Sequence, residues 1–130
     1  MTRILIAEDE ARIAAFVAKG LRAHGFTPTV VGDGAEALEH ARSDDFDLML
    51  LDIGLPTMDG FAVLSRLREE NIAIPVIVVS ARDSATDRLA GLERGADDYI
   101  TKPFDFADLV TRIQRRLGPD ATNPGPTGGT

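Results

Sequence analysis

The sequence of 130 residues contains no cysteine, no tryptophan and a single tyrosine. Without cysteine the chain can form neither disulfide bonds nor thiolate metal sites. No apolar run approaches the roughly 20 residues that a membrane-spanning helix needs, and no signal-peptide pattern opens the chain. Positive charge is also scarce, with 14 Lys and Arg against 21 Asp and Glu and a net charge of −7. We therefore expect a soluble cytoplasmic protein without direct nucleic-acid or membrane contact, because nucleic-acid binding relies on basic surface.

What the sequence does contain is a regular alternation of strand-like and helix-like segments. Apolar strands are predicted at Arg3–Ala7, at Thr27–Val31, from Leu48 up to Asp52, over Val76–Val79 ending at Ser80, and at Asp98–Thr101. Helical spacing of apolar residues follows each strand, and after the first strand it comprises Ile13, Phe16, Val17 and Leu21. This alternation predicts an α/β fold with a doubly wound, five-stranded parallel sheet and helices on both faces.

The predicted domain occupies residues 1–118. Beyond it, residues 119–130 are rich in glycine and proline and show no apolar periodicity. Such a composition predicts a flexible tail or linker.

Polar side chains stand where four of the predicted strands end. Asp52 directly follows a continuous apolar run, which is typical of a central strand buried on both faces. Glu8 and Asp9 follow the first strand, Ser80 ends the fourth and Lys102 follows the fifth. In a sheet ordered 2-1-3-4-5 the first and third strands are neighbours at the switch point, where a crevice opens. We therefore expect these five residues to converge at one edge of the sheet.

The converging groups favour phosphoryl chemistry. Three carboxylates held together repel one another and require a cation, and a set of oxygen ligands suits Mg²⁺. Ser80 and Lys102 could hold phosphoryl oxygens, which leaves Asp52 as a nucleophile able to form an aspartyl phosphate. Taken singly, each residue also has a structural explanation as a helix-terminal acid, a helix cap or a surface lysine. Their convergence is what favours the site.

These residues carry a resemblance to a known family. Glu8-Asp9, Asp52, Ser80 and Lys102-Pro103 resemble the signature of the receiver domains of two-component response regulators, and the likeness extends from Arg3 to Leu117. The run Gly91–Tyr99, followed by Lys102-Pro103-Phe104, is similar to the OmpR/PhoB subfamily. The resemblance implies a flavodoxin-like receiver fold. It also implies a signalling domain, limited to self-phosphorylation and slow self-dephosphorylation, in place of an enzyme.

The resemblance assigns roles to the acidic residues. It implies that Asp52 accepts a phosphoryl group from a sensor histidine kinase. It further implies that Mg²⁺ is held by Glu8, Asp9, Asp52 and the backbone carbonyl of Gly54.

Other matching positions would sense the phosphoryl group. The resemblance implies that Ser80 and Lys102 contact it, and that Ser80 and Tyr99 form a switch in which Tyr99 turns inward on activation. It also implies a cis peptide bond between Lys102 and Pro103, a state that X-Pro bonds adopt far more readily than others.

A symmetric homodimer is the last implication of the resemblance. Its interface would comprise the fourth helix, the fifth strand and the fifth helix, with an apolar patch formed by Leu89, Leu92 and Val110. Charge pairs across the two-fold axis would be Arg88 with Asp108, Asp98 with Arg112 and Asp97 with Arg115. The alternative is an ordinary charged and solvated helix surface.

Several alternatives in function stay open. A haloacid-dehalogenase-like phosphatase also uses a nucleophilic Asp, but it carries a second Asp two residues later, where this sequence has Gly54. A flavodoxin-like cofactor binder would need a phosphate-binding loop where Glu8-Asp9-Glu10 would repel phosphate. In the OmpR/PhoB subfamily, DNA is bound only through a C-terminal winged-helix domain, which lies outside this sequence. The chain is therefore interpreted as an excised receiver, or as a stand-alone receiver that relays phosphate or regulates a protein partner.

Overall fold

Five short strands form one parallel sheet in the computed structural model, which describes residues 2–118. The strands are β1 (Arg3–Ala7), β2 (Thr27–Val31), β3 (Leu48–Leu51), β4 (Val76–Ser80) and β5 (Asp98–Thr101). Their order in the sheet is β2-β1-β3-β4-β5, so the predicted architecture is confirmed. The predicted linker over residues 119–130 lies outside the described residues.

Helices cover both faces of the sheet. They are α1 (Ala11–Ala23), α2 (Gly34–Arg42), α3 (Gly60–Glu69), α4 (Ala85–Glu93) and α5 (Phe106–Leu117). Alternate side chains of a strand point to opposite faces, and β3 shows this clearly. Leu48 and Leu50 pack with α1 and α5, whereas Met49 and Leu51 pack with α2 and α3. Within residues 2–118, no helix is long and apolar enough to cross a membrane.

Side-chain caps and glycines determine where the helices begin and end. Asp33, Asp59 and Ser84 precede α2, α3 and α4, and each side chain accepts a hydrogen bond from a backbone N–H of the first turn. Gly25 and Gly95 follow α1 and α4 with φ of 86° and 111°. Glycine adopts this left-handed conformation without steric cost, so these two positions end their helices as the sequence predicts.

One apolar side chain lies differently from its prediction. The spacing assigns Phe16 to the buried face of α1, but it is 58% exposed, so that assignment was wrong. The buried face of α1 consists of Ala14, Val17, Ala18 and Leu21. Phe16 lies one position off this stripe and instead packs edge-on against the ring of Phe106, with 5.6 Å between ring centroids.

Candidate functional site

Asp52 lies at the carboxyl edge of the sheet, one residue beyond β3. Its backbone N–H donates to the carbonyl of Ala7 at 3.0 Å, which continues the ladder between β1 and β3. The register pairs Ala7 with Leu51, so Glu8 and Asp52 follow paired residues on adjacent strands. The fold therefore brings together two carboxylates that are far apart in the sequence.

Glu8, Asp9 and Asp52 form an acidic cluster in which one oxygen from each side chain lies within 4.8 Å of the others. Glu8 and Asp52 are buried, whereas Asp9 is exposed and gives the cluster access from solvent. Gly54 lines the same cleft. A set of closely spaced carboxylate oxygens that is open on one side fits a hard cation such as Mg²⁺, which retains water and phosphate ligands.

Lys102 supplies the positive charge of the site. Its Nζ donates to Oε1 of Glu8 at 2.7 Å and lies 3.6 Å from Oδ1 of Asp52. Burial alone would lower the pKa of Lys102, but the hydrogen bond to Glu8 and the charge of Asp52 outweigh it and raise the pKa. The lysine is therefore a permanent cation beside Asp52. The Lys102–Pro103 peptide bond is cis, as the resemblance predicts.

Burial raises the pKa of the Asp52 carboxyl group above its ordinary value. The charge of Lys102 and the backbone N–H groups of Gly54 and Ile53 act in the opposite direction, and the charge of Asp9 adds to the rise. The carboxylate of Asp52 is thus less stable in the folded protein than in water. A cation bound nearby would remove this penalty.

Ser80 and Tyr99 are connected through the main chain of Arg82. The backbone N–H of Arg82 donates to Oγ of Ser80 at 3.1 Å, and its carbonyl accepts the hydroxyl of Tyr99 at 2.7 Å. Tyr99 is only 3% exposed, so the structure shows the inward position of its ring. The sequence identifies both side chains but not the connection between them, because main-chain atoms carry no residue-specific signal.

The face formed by α4, β5 and α5 carries two exposed apolar side chains. Leu89 is 57% and Leu92 is 47% exposed, so both side chains are accessible, and their place in a dimer interface stays a prediction. Val110 is only 5% exposed, because it lies on the core-facing side of α5 beside Leu109 and Ile113. The exposed apolar area on this face therefore belongs to the two leucines of α4, and the prediction for Val110 needs this correction.

Charged groups on the same face pair within the chain. Arg112 lies 2.8 Å from Asp98 and 3.1 Å from Asp108, although the resemblance places the partners of these residues across a two-fold axis.

Two further residues of the predicted pairs also have contacts inside the chain. Arg88 donates to Oγ1 of Thr101 at 2.6 Å. Asp97 contacts Arg68 at 3.5 Å and Arg116 at 3.8 Å, and Arg115 is exposed. In a dimer through this face, each of these charged groups would either contact both chains or exchange its partner in the same chain for one in the other chain.

The comparison with known proteins identifies the family to which this site belongs. Residues 4–114 match the response regulator receiver domain. The chain belongs to this family. This receiver domain is 44% identical over 128 residues to the transcriptional regulatory protein PrrA of Mycobacterium tuberculosis, an alignment that covers 96% of the chain and 55% of PrrA. It is 47% identical over 115 residues to the transcriptional activator protein IrlR of Burkholderia pseudomallei, covering 88% of the chain and 50% of IrlR.

These relatives are transcriptional regulators of the OmpR/PhoB type, as the resemblance predicts. The receiver domain spans about half the length of each of them.

Solved structures show the same fold. The receiver domain of Francisella response regulator 1452 superposes with a TM-score of 0.87 at 37% identity, covering 90% of this chain and 97% of that one. The receiver domain of a sensor histidine kinase from Pseudomonas aeruginosa gives 0.83 at 32% identity, covering 91% and 98%. That protein was solved with a magnesium ion coordinated in its active site cleft.

Proposed function

We propose that this receiver domain accepts a phosphoryl group on Asp52 and that the aspartyl phosphate is its signalling state. The observation that carries the proposal is the position of Lys102, whose Nζ bridges the buried carboxylates of Glu8 and Asp52 in the cleft that Ser80 also lines. Nucleophile, fixed cation and hydroxyl thus surround one small space. This arrangement suits phosphoryl transfer, which depends on positioning and on charge neutralisation.

The reaction uses groups of known position in the chain. A carboxylate oxygen of Asp52 attacks phosphorus, and the bond from phosphorus to the donor atom breaks with its electron pair leaving on the donor. The donor is a phosphohistidine nitrogen of a sensor kinase, or an oxygen of acetyl phosphate. The ammonium of Lys102 stabilises negative charge on the phosphoryl oxygens, and the hydroxyl of Ser80 donates to one of them.

Mg²⁺ is the cofactor that the acidic cluster fits. Glu8, Asp9, Asp52 and the carbonyl of Gly54 would hold it, and when bound it supplies charge neutralisation for the phosphoryl oxygens. Asp9 is the most accessible of the three carboxylates, so we assign it the role of admitting the ion. Glu8 has less freedom, because one of its oxygens accepts from Lys102 and the other from the backbone N–H of Glu10.

The partners follow from the same proposal. A sensor histidine kinase supplies the phosphoryl group, and the phosphorylated domain forms a homodimer through α4, β5 and α5. In a protein of the length of PrrA or IrlR, DNA would be bound by the half outside this domain. The transcriptional names of both relatives support this output over relay of phosphate by a stand-alone receiver. A cytoplasmic location is proposed for the same reason.

Intact-protein mass spectrometry after incubation with acetyl phosphate and Mg²⁺ tests the proposal. We expect one phosphoryl adduct that accumulates, is lost slowly after the donor is removed, and is absent from Asp52→Asn. The matched control is Asp45→Asn, which changes an exposed carboxylate before β3, at the opposite edge of the sheet. This control should be phosphorylated like the wild type.

Rival functions give different outcomes in the same assay. A phosphatase of the haloacid-dehalogenase type would release phosphate continuously without an accumulating adduct. A flavodoxin-like cofactor binder would show no adduct. An adduct that persists in Asp52→Asn would place the phosphoacceptor elsewhere and overturn the proposal.

A further inference from the structure

Gly91 occupies an unusual place in α4. Glycine is a poor helix former, yet Gly91 stands inside the helix and is its one buried residue, in a helix that the structure describes completely. Neither a turn nor a positive φ requires a glycine at this position. Packing around position 91 must therefore favour a residue without a side chain.

The ring of Tyr99 supplies that reason. A Cβ added at Gly91 would lie 2.9 Å from Cδ2 and 3.2 Å from Cε2 of Tyr99, and 3.5 Å from the ring of Phe61. A carbon atom at 2.9 Å is closer than ordinary van der Waals contact, so ring and methyl group cannot both keep their positions. Gly91 thus provides the space that the inward ring occupies.

Other contacts make it difficult for the ring to adjust in place. Its hydroxyl donates to the carbonyl of Arg82 at 2.7 Å, and the guanidinium of Arg88 lies 5.7 Å from the ring centroid. Arg88 is itself held by its hydrogen bond to Thr101. A methyl group at position 91 would therefore press on a ring that is fixed at its far end.

We propose that Gly91 is a positioning residue that allows the inward position of Tyr99, and that a side chain at position 91 shifts the ring outward. Outward here means that the ring leaves the core beside α4 and lies on the exposed face formed by α4, β5 and α5. The residue at position 91 thereby sets the balance between two positions of the switch without touching the phosphoryl site.

The effect of position 91 on the response to phosphorylation rests on the proposed function. If phosphorylation of Asp52 draws Ser80 toward the phosphoryl group, the inward ring is the position that the dimer requires. Gly91→Ala should then leave phosphorylation intact and weaken the activated dimer. A loss of about 5- to 150-fold in dimer affinity corresponds to a typical coupling between two sites.

Tyrosine fluorescence tests the position of the ring directly. The chain has one tyrosine and no tryptophan, so the signal reports Tyr99 alone. We expect acrylamide to quench the wild type weakly, and the quenching constant of Gly91→Ala to rise toward the value of the denatured protein. This measurement needs no phosphorylation, so its failure is distinct from failure of the proposed function.

Two matched controls separate this effect from general damage. A Cβ at Gly20 in α1 would overlap the ring of Phe106, so Gly20→Ala introduces a similar clash in another helix. Gly32→Ala adds a methyl group with no atom within 4 Å. Both variants should keep the weak quenching of the wild type, even where Gly20→Ala lowers the melting temperature.

A double-mutant cycle completes the test. When Tyr99 is replaced by leucine, the clash should largely disappear, and Gly91→Ala should raise the melting temperature because alanine is the better helix former. Unchanged quenching in folded Gly91→Ala would mean that α4 moves while the ring stays, and would overturn the proposal. The same conclusion follows if Gly91→Ala changes the melting temperature equally with tyrosine or leucine at position 99.

Discussion

The hydroxyl of Tyr99 donates a hydrogen bond to the main-chain carbonyl of Arg82, at a distance of 2.7 Å. The amide of the same residue contacts Ser80, which lies in the cleft of Asp52. A movement of Ser80 toward a phosphoryl group therefore changes the loop that holds the aromatic ring. The connection is short and continuous, and it gives the proposed switch a physical route from the site to the surface.

Asp52→Asn should raise the melting temperature of the metal-free protein. Burial raises the pKa of Asp52 above its ordinary value of 3.8, so folding disfavours the charged carboxylate. A group of this kind favours the fold fully below pH 3.8, and that contribution is lost as the pH rises through the raised folded pKa. Asparagine carries no charge, so the Asp52→Asn variant does not lose this stability at neutral pH. We expect a gain of roughly 2–6 °C at pH 7, which about 1 kcal/mol would give in a domain of this size.

The pH dependence of that gain provides the check. Thermal unfolding in a chelating buffer should show a small difference between Asp52→Asn and wild type near pH 4 and a larger difference at pH 7. Asp45→Asn, at the opposite edge of the sheet, should show neither effect. A gain that is as large at pH 4 as at pH 7 would contradict the electrostatic cause.

Mg²⁺ should stabilise the wild type through the acidic cluster. A ligand present at 100 times its dissociation constant adds about 2.7 kcal/mol when it binds only the folded state. Asp9→Asn removes the accessible carboxylate and should reduce this stabilisation strongly, whereas Asp45→Asn should keep it. Differential scanning fluorimetry across a Mg²⁺ titration measures the effect. Equal shifts in both variants would show that the ion binds elsewhere.

Substitution of Tyr99 should weaken dimer formation without affecting phosphorylation of Asp52. Tyr99→Phe keeps the ring but removes the hydrogen bond to Arg82, and Tyr99→Ala removes both. We expect acetyl phosphate to modify both variants at nearly the wild-type rate, with a weaker activated dimer and the larger loss in Tyr99→Ala. Loss of the adduct from a folded variant would show that Tyr99 belongs to the phosphoryl site instead.

Ion pairs within one chain affect how the proposed dimer can be tested. Arg112→Asp breaks the internal pair with Asp98, so loss of dimer in that variant alone does not locate the partner. A mixture of Arg112→Asp with Asp98→Arg is more informative. Within each variant, positions 98 and 112 carry charges of the same sign, which repel one another. In a mixed dimer, position 98 of one chain and position 112 of the other carry opposite charges, so attraction is restored only across the two-fold axis. We expect beryllofluoride-loaded variants to be monomers separately and to form a heterodimer when mixed.

Light scattering and native mass spectrometry distinguish these outcomes. Exposed ion pairs contribute about 0–1 kcal/mol each, so the apolar patch should supply most of the affinity, and Leu89→Asp should also give a monomer. A wild type loaded with beryllofluoride that stays monomeric at high concentration would contradict the proposed interface.

Much of the fold could be predicted because its central strands, β3 and β4, are buried on both faces. Continuous apolar runs, such as Leu48–Leu51, mark these strands, and the parallel order then brings their carboxyl ends to one edge. The convergence of Asp52 with Lys102 follows from that geometry and not from the neighbouring sequence. The site was therefore predictable to the same extent as the order of the strands.

Other features depend on packing that spacing does not determine. Phe16 lies one position off the buried stripe of α1 and packs against the ring of Phe106. Val110 shares the buried stripe of α5 with Leu109 and Ile113, and only the resemblance placed it in an apolar surface patch. The pair of Asp108 with Arg112 could have been predicted, because residues four positions apart are neighbours on a helix. The pair of Asp98 with Arg112 could not, since it depends on how α5 lies against β5.

The contact between Glu8 and Lys102 joins positions 94 residues apart. As the chain is synthesised, Glu8 and Asp52 leave the ribosome well before β5 and the lysine behind it. Until β5 is in place, Glu8 and Asp52 lack the ammonium group of Lys102, and the cleft is incomplete. Under the proposed function, a kinase would therefore meet a competent acceptor only on a finished domain, and an incomplete or unfolded copy would take up no phosphoryl group.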